Sequence, residues 1–297
     1  MKVLLTGASG LLGRAIVRSM KDHCSLYACA FSRSNDNLHK LNLLNSNEVT
    51  QTIESVQPHF IIHAAAERSP DICENEHATT NAINIQATSH LAQCAKEIGA
   101  TIIYISTDYV FDGIDAPYQT DDPTNPLNYY GSSKLKGEQA VYESGAKAIV
   151  LRVPVLYGPV EYIEESAITV ITKYLINQEP ARVDHWAIRY PALVDDIADA
   201  LKNLILELAK NKITAPSTLH FSGPEALTKY EIAKIMGQLY KINTDHLTAN
   251  PEAPSGAPRP YNCQLDDHLL SDLIELKKSN FTDSIKPLIQ DFIKATN

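Results

Sequence analysis

Apolar positions along this chain fall into short unbroken runs that alternate with longer stretches of helical periodicity. Lys2–Thr6 and residues 25–31, 40–44, 59–66, 101–106 and 148–158 are runs of strand length. A run without polar alternation is what a strand covered on both faces requires. Between the runs, Leu12, Ile16, Val17 and Met20 recur at helical spacing, residues 47–56 read as a second helix, and residues 78–98 as a third that carries Ile83, Ile85, Leu91 and Cys94 inward. Strands alternating with helices predict βαβ units, and hence a parallel sheet with helices on both faces. Residues 67–75 read as a polar loop.

After residue 158 the pattern changes. Residues 166–175 read as a helix, 184–190 as a loop, 191–208 as a long helix and 219–222 as a short strand. Thr228 then opens a helix with an apolar core stripe of Tyr230, Ile232, Ile235 and Met236, and Glu231 three residues on completes a capping-box signature. Residues 251–260, rich in proline, read as an extended loop. The expected class is α/β. A doubly wound parallel sheet occupies residues 1–158, rejoined by the helix near 191–208 and the strand near 218–222. Residues 159–190 and 223–297 form a smaller C-terminal α/β lobe that meets a substrate or partner.

Composition narrows the function. The 297 residues carry a net charge of −9 with no Lys/Arg-rich run, which argues against a nucleic-acid surface. No basic leader with an apolar stretch behind it and no 18-residue apolar segment is present, so neither secretion nor a membrane span is expected, and the expected compartment is cytoplasmic. Cys24, Cys29, Cys73, Cys94 and Cys263 are odd in number and scattered, which fits reduced structural thiols better than disulfides or zinc. No metal site is expected, and Asp195 and Asp196 read as acids favoured at a helix N-terminus.

The first run ends in Gly7, Gly10 and Gly13 at G-x-x-G-x-x-G spacing and leads straight into the first helix. Gly7 allows a tight turn, Gly10 lets backbone approach a pyrophosphate, and Gly13 lets helix and strand pack closely. A helix N-terminus aimed at this turn favours phosphate, so the stretch is expected to hold a dinucleotide. The second run ends in Phe31-Ser32-Arg33, where an NAD site would carry an acid for the ribose 2′-OH. Arg33 in that place predicts NADP. Asn42 and Leu43 fall where an adenine would lie, and Ala64, Ala65 and Ala66 leave room at a strand's carboxyl end. His63 beside them reads as a packed, hydrogen-bonded residue.

The fifth run opens into Ser106-Thr107-Asp108-Tyr109-Val-Phe-Asp-Gly113, and Tyr130 and Lys134 follow at i, i+4 on a helix. An ammonium beside a phenol favours the phenolate, so this pair, with the Thr107 hydroxyl on the same substrate oxygen, can move the proton that accompanies a hydride. Asp184, His185, Trp186 and Arg189 put a single Trp amid charged groups, a set that can stack a ring, anchor an interface or simply close the small lobe.

These motifs resemble an extended short-chain dehydrogenase/reductase with a Rossmann dinucleotide fold. Ser106–Gly113, the Tyr130/Lys134 pair and Arg259-Pro-Tyr-Asn-Cys-Gln-Leu-Asp266 are similar to the dTDP-4-dehydrorhamnose reductase branch. A narrower resemblance covers nearly the whole chain. Ala66-Glu-Arg-Ser-Pro-Asp-Ile-Cys-Glu-Asn75, Val160-Glu-Tyr-Ile-Glu-Glu-Ser-Ala-Ile-Thr-Val170, Asp184-His-Trp-Ala-Ile-Arg-Tyr-Pro191 and Ser222-Gly-Pro-Glu-Ala-Leu-Thr-Lys-Tyr-Glu-Ile-Ala233 resemble the family of regulatory beta subunits of methionine adenosyltransferase. That resemblance implies an NADP-binding, reductase-like protein paired with the catalytic subunit that makes S-adenosylmethionine. It also implies the contacts: Ser9, Gly10, Leu11 and Leu12 on the phosphates, Phe31, Ser32 and Arg33 around the 2′-phosphate, Asn42 and Leu43 at the adenine, and Ala64, Arg68, Tyr130, Lys134 and Leu156 completing the site. The family continues past its last helix as a tail implicated in partner contact, whereas this sequence stops at Asn297, so docking through a tail is not expected. Two functions stay open: a regulatory subunit, and an NADPH-dependent reductase of a nucleotide-linked keto sugar or another carbonyl, with Thr107, Tyr130 and Lys134 as its catalytic residues.

Overall fold

The computed structural model describes residues 1–33, 37–210, 217–253 and 255–294. The chain begins with strand β1 (Lys2–Thr6), helix α1 (Leu11–Met20), β2 (Ser25–Ala30), β3 (His39–Lys40), α2 (Ser46–Val56) and β4 (Phe60–His63). Next come α3 (Pro70–Asn75), α4 (His77–Asn81), a π-helical segment (Ala82–Ala87), α5 (Thr88–Glu97), β5 (Thr101–Thr107), α6 (Tyr129–Glu143) and β6 (Lys147–Val153). The remainder holds β7 (Leu156–Tyr157), α7 (Thr172–Asn177), β8 (Ala181–Asp184), β9 (Ala192–Leu193), α8 (Val194–Ala209), β10 (Thr218–His220), α9 (Lys229–Tyr240), β11 (Leu247–Asn250), α10 (His268–Leu273) and α11 (Phe281–Lys294).

One sheet of seven strands runs in the order β10-β6-β5-β4-β1-β2-β3, and every pairing in it is parallel. Strand alternation sends Val3, Leu5, Ile62, Ile103 and Leu151 to one face and Leu4, Ile61, Ile102, Tyr104 and Val150 to the other. The first face is covered by α1 and α8 through Ile16, Met20, Ile197, Leu201 and Leu204. The second is covered by α2, α5 and α6 through Val49, Ile53, Leu91 and Val141. This is the doubly wound sheet expected from the apolar runs. A separate core gathers Tyr157, Ile171, Leu175, Val183, Ile232, Met236, Leu247, Phe281, Ile285 and Ile289 around the parallel pair β8–β11. Among the described residues, no helix is long and apolar enough to cross a membrane.

Several elements differ from the sequence reading, each for a local reason. The third strand is His39–Lys40 alone, because the Asn42 side chain accepts from the Leu44 N–H and Asn45 caps α2, bending residues 41–45 off the sheet. The sixth run splits at Pro154, which has no N–H to continue the ladder; Leu156–Tyr157 pairs instead with Ala192–Leu193, so α8 starts at Val194 rather than 191. Inside the loop read at 67–75, Ser69 caps a helix with Pro70 in its first turn. Helix is absent at Ser166, whose extended backbone and hydroxyl bond to the Leu156 carbonyl delay it to short turns and α7. The reading assigned no element to β11, α10 and α11, and of β8 it covered only Asp184, which it placed in the 184–190 loop. The capping box at Thr228 is present in full. Pro254 and residues 295–297, within the loop and the chain end discussed above, lie outside the described residues.

Candidate functional site

At the carboxyl edge of β1, β2, β4 and β5 lies a cavity of about 530 Å³. Its floor is the glycine turn. Gly7 has φ +73°, and a Cβ on it would meet the Ala65 backbone at 2.8 Å; a Cβ on Gly13 would lie 2.0 Å from the Gly7 carbonyl oxygen. The two glycines therefore allow β1, α1 and the strand end at Ala64–Ala65 to approach as they do. Gly10 caps α1 with no side chain, so the helix N-terminus opens toward the cavity. An uncapped N-terminus over backbone that no side chain fills suits a pyrophosphate.

The structure brings every dinucleotide residue named from the sequence into this one cavity: Gly7, Ser9, Gly10, Leu11, Leu12 and Gly13 from the turn, Phe31, Ser32 and Arg33 after β2, Asn42 and Leu43 before α2, Ala64, Ala65 and Arg68 after β4, and Leu156 from β7. Thr107, Tyr130 and Lys134 line it too. Residues the sequence reading did not assign also contribute: Asp108 and Tyr109 after β5, Ile83 from the π-helical segment, Val153 to Val155 and Ala167. The π-helical turn directs Ile83 to the cavity wall and buries Asn84, which bonds both the N–H and the carbonyl of Glu67 and donates to the Ser133 hydroxyl. Ile83 and Ile85 are thus only half-buried, unlike the core positions expected of them. A one-residue π offset leaves no trace in apolar periodicity.

The reacting side chains are set differently from the expectation for a phenolate. Tyr130 Oη is pushed well above its ordinary value, first by burial and further by the neighbouring Asp108 carboxylate, with the Thr107 hydroxyl only partly offsetting. Burial draws Lys134 down to about 7, opposed by Glu138. Its Nζ donates to the Ile105 carbonyl at 2.7 Å and sits 3.9 Å from the Tyr104 ring centroid. The geometry thus favours the protonated phenol over the phenolate at Tyr130. Asp108 is buried, and burial raises its carboxyl to about 6 against the pull of Arg189 and the Thr107 hydroxyl. Tyr109 packs edge-on to Tyr130 at 5.9 Å, with the Arg189 guanidinium 5.6 Å from its own ring.

His63 is fully buried between the hydroxyls of Thr6 (2.7 Å) and Thr88 (2.9 Å). Burial, with Lys134 nearby, holds it neutral at about 3. It is a structural residue of the sheet, as read from sequence. Asp184, His185 and Trp186 do not line the cavity. Asp184 accepts from the Trp186 and Ala187 N–H groups, His185 meets the Thr228 hydroxyl at 2.8 Å, and Trp186 packs edge-on against Tyr261. Their visible work is to shape a loop. Asp195 pairs with Arg18, and Asp196 is buried and accepts from the Ser279 N–H and hydroxyl.

Along one rim of the cavity, Arg14 and Arg33 engage Glu161 and Glu165. Arg14 binds the Glu165 carboxylate through both Nη atoms, at 2.8 and 2.7 Å, and Arg33 Nη1 lies 2.8 Å from Glu161 and 3.1 Å from Glu165. Burial alone would raise Glu165, but Arg14, the Glu161 N–H and Arg33 carry it down to about 2.

The RmlD substrate binding domain family matches residues 1–294. A methionine adenosyltransferase 2 subunit beta from Bos taurus is 42% identical over 98% of this chain and 88% of its own. Among solved structures, a dTDP-4-dehydrorhamnose reductase from Clostridium acetobutylicum superimposes with a TM-score of 0.83 at 27% identity, over 99% of this chain and 100% of that one. A Bacillus anthracis dTDP-4-dehydrorhamnose reductase in complex with NADP gives 0.81 at 26%, over 98% and 99%. With a Rossmann-type sheet, its glycine turn over a dinucleotide-sized cavity and these likenesses along nearly its whole length, the chain belongs to the RmlD substrate binding domain family and, within it, to the methionine adenosyltransferase beta-subunit group.

Proposed function

We propose that this chain is an NADP-binding regulatory subunit of methionine adenosyltransferase, pairing with the catalytic subunit and modulating S-adenosylmethionine synthesis. The observation that carries the reading is identity of 42% across 98% of the chain to a protein named methionine adenosyltransferase 2 subunit beta. In this reading the α1 N-terminus and the Gly7–Gly13 turn bind the pyrophosphate, Phe31, Ser32 and Arg33 surround the 2′-phosphate, Asn42 and Leu43 border the adenine, and Ala64, Arg68 and Leu156 close the walls. Residues 1–158, with 191–208 and 218–222, serve the dinucleotide; residues 159–190 and 223–297 serve the partner. Nicotinamide supplies hydride chemistry when bound. Tyr130 and Lys134 line the cavity beside Thr107, where in this reading they contact the cofactor, with the Lys134 Nζ anchored on the Ile105 carbonyl.

A second reading, an NADPH-dependent reductase of a nucleotide-linked keto sugar, is supported by Thr107, Tyr130 and Lys134 lining the same cavity. There the Thr107 and Tyr130 hydroxyls would bind the carbonyl oxygen and Tyr130 would donate the proton, a step for which hydrogen-bond geometry often tightens only with ligand. One experiment separates the two. The purified chain, with and without NADP, is offered to the catalytic methionine adenosyltransferase, and the kinetics of any complex are followed. A stoichiometric complex with altered kinetics is expected. No complex, together with NADPH oxidation on a dTDP-4-keto sugar that disappears in Tyr130→Phe, would establish the reductase instead.

A further inference from the structure

Arg14 on α1, Arg33 after β2 and Arg68 after β4 all reach the same short segment, residues 159–165. Arg14 donates to the Pro159 carbonyl at 3.0 Å as well as to Glu165, and Arg68 donates to the Glu165 carbonyl at 2.6 Å. The segment joins two cavity-lining residues, Leu156 and Ala167. It is therefore a strap along the rim, clasped by Arg33 and Arg68 from the cavity lining and by Arg14 from α1.

The two acids of the strap are held unequally. The Glu165 side chain is 1% exposed and receives Arg14 through both Nη atoms, Arg33, and the Glu161 N–H at 2.9 Å. The Glu161 side chain is 52% exposed; Arg33 Nη1 is its nearest cation at 2.8 Å and Arg14 Nη1 is 3.5 Å away. If Arg33 is drawn elsewhere, Glu165 keeps its Arg14 clasp whereas Glu161 loses its best partner. Arg33 is also the residue through which the proposed cofactor's 2′-phosphate would be read. A guanidinium binds phosphate best as a two-pronged fork, and the Nη1 prong is already shared by two carboxylates.

Resting on the NADP reading above, we propose that Glu161 is a built-in rival of the 2′-phosphate for Arg33. It lowers affinity for NADP without touching affinity for NAD, and arrival of the 2′-phosphate releases Glu161 and loosens the outer strap while Glu165 stays clasped. The surface at residues 159–163 thereby reports whether the bound dinucleotide carries the extra phosphate.

The test titrates NADP and NAD calorimetrically into the wild type, Glu161→Gln and Arg33→Ala, and follows amide exchange of residues 158–168 with each dinucleotide. Half-exposed ion pairs are worth little, so Glu161→Gln is expected to tighten NADP by about two- to fivefold and leave NAD unchanged. Arg33→Ala loses roughly tenfold or more for NADP alone. NADP, but not NAD, speeds exchange at 159–163. If Arg33→Ala behaves as stated while Glu161→Gln leaves NADP binding unchanged or weaker, or exchange at the strap does not respond to NADP, the rivalry is wrong and the NADP reading stands. If the wild type binds NADP no tighter than NAD, the NADP reading fails and this inference falls with it.

Discussion

At the scale of single residues, the site depends on absent side chains as much as on present ones. Gly13 has no room for even one methyl, since its Cβ would lie 2.0 Å from the Gly7 carbonyl oxygen and 2.8 Å from Ala8 Cα, both backbone. Gly13→Ala must therefore push α1 away from the β1 turn, and overpacking of this kind costs about 2–3 kcal/mol. Urea denaturation is expected to show that loss, and dinucleotide binding to vanish with it because the helix N-terminus moves off its aim. Full binding in Gly13→Ala would mean that the close approach does not position the site. Charged residues at the rim work by opposite means: Arg33 and Arg68 line the cavity, Arg14 lies behind them on α1, and all three are already committed to the strap.

At the scale of elements, short polar devices decide where helices begin. Thr228 accepts from the Glu231 N–H at 3.2 Å, the Glu231 carboxylate accepts the Thr228 N–H at 2.8 Å, and the same threonine hydroxyl meets His185 at 2.8 Å. One side chain thus starts α9 and ties it to the 184–190 loop. Thr228→Ala is expected to cost about 1–2 kcal/mol in denaturant unfolding. Thr228→Ser, which keeps the hydroxyl, should recover most of it, and failure to recover would assign the loss to the methyl group. The π-helical segment at Ala82–Ala87 is a device of the same size: one displaced turn lets Asn84 bridge Glu67 and Ser133 behind the cavity.

At the scale of the whole molecule, burial of ionisable groups links stability to pH. His63 and His220 are held neutral at about 3 and about 4, by burial first and then by Lys134 and Arg152 respectively. Folded values below the unfolded value of about 6.5 mean that their contribution is present above that pH and is lost as acid is added. Asp108, raised to about 6 by burial, acts oppositely: its contribution is present below about 3.8 and disappears as pH rises through about 6. Near pH 5 the unfolded chain therefore binds roughly two histidine protons that the folded chain does not, and the folded chain binds roughly one at Asp108. For these three groups the difference of about one proton predicts that stability falls as pH drops near 5, and Glu165, held at about 2 in the fold, adds to the fall. Denaturant unfolding at closely spaced pH values would measure the slope, and Asp108→Asn should steepen it by about one proton. An unchanged slope in that variant would mean that Asp108 is not protonated in the fold at pH 5.

Apolar patterning and local motifs alone specify the parallel sheet and most of the residues that line the cavity at its carboxyl edge. Those features are local: apolar runs of strand length, a glycine turn beside its strand, and Arg33, Ala64 and Tyr130 at fixed offsets from strand ends that a doubly wound sheet must align. What depends on distant chain meeting was decided only by the tertiary structure. Strands β8 and β11 are short, partly polar, and exist because each pairs with the other across more than sixty residues of chain, from Leu247↔Ala181 to Asn250↔Asp184. Asp184, His185 and Trp186 are chemically suited to a ligand, yet the loop's own N–H groups, Thr228 and Tyr261 engage them first. Tyr130 and Lys134 share a helix face as their spacing requires, but spacing carries no information on burial, and burial pushes the phenol up rather than letting the ammonium bring it down. Glu161 and Glu165 are ordinary acids in the sequence; only folding sets them against Arg14 and Arg33, because an ion pair needs both partners within a few ångströms and the chain between them is long.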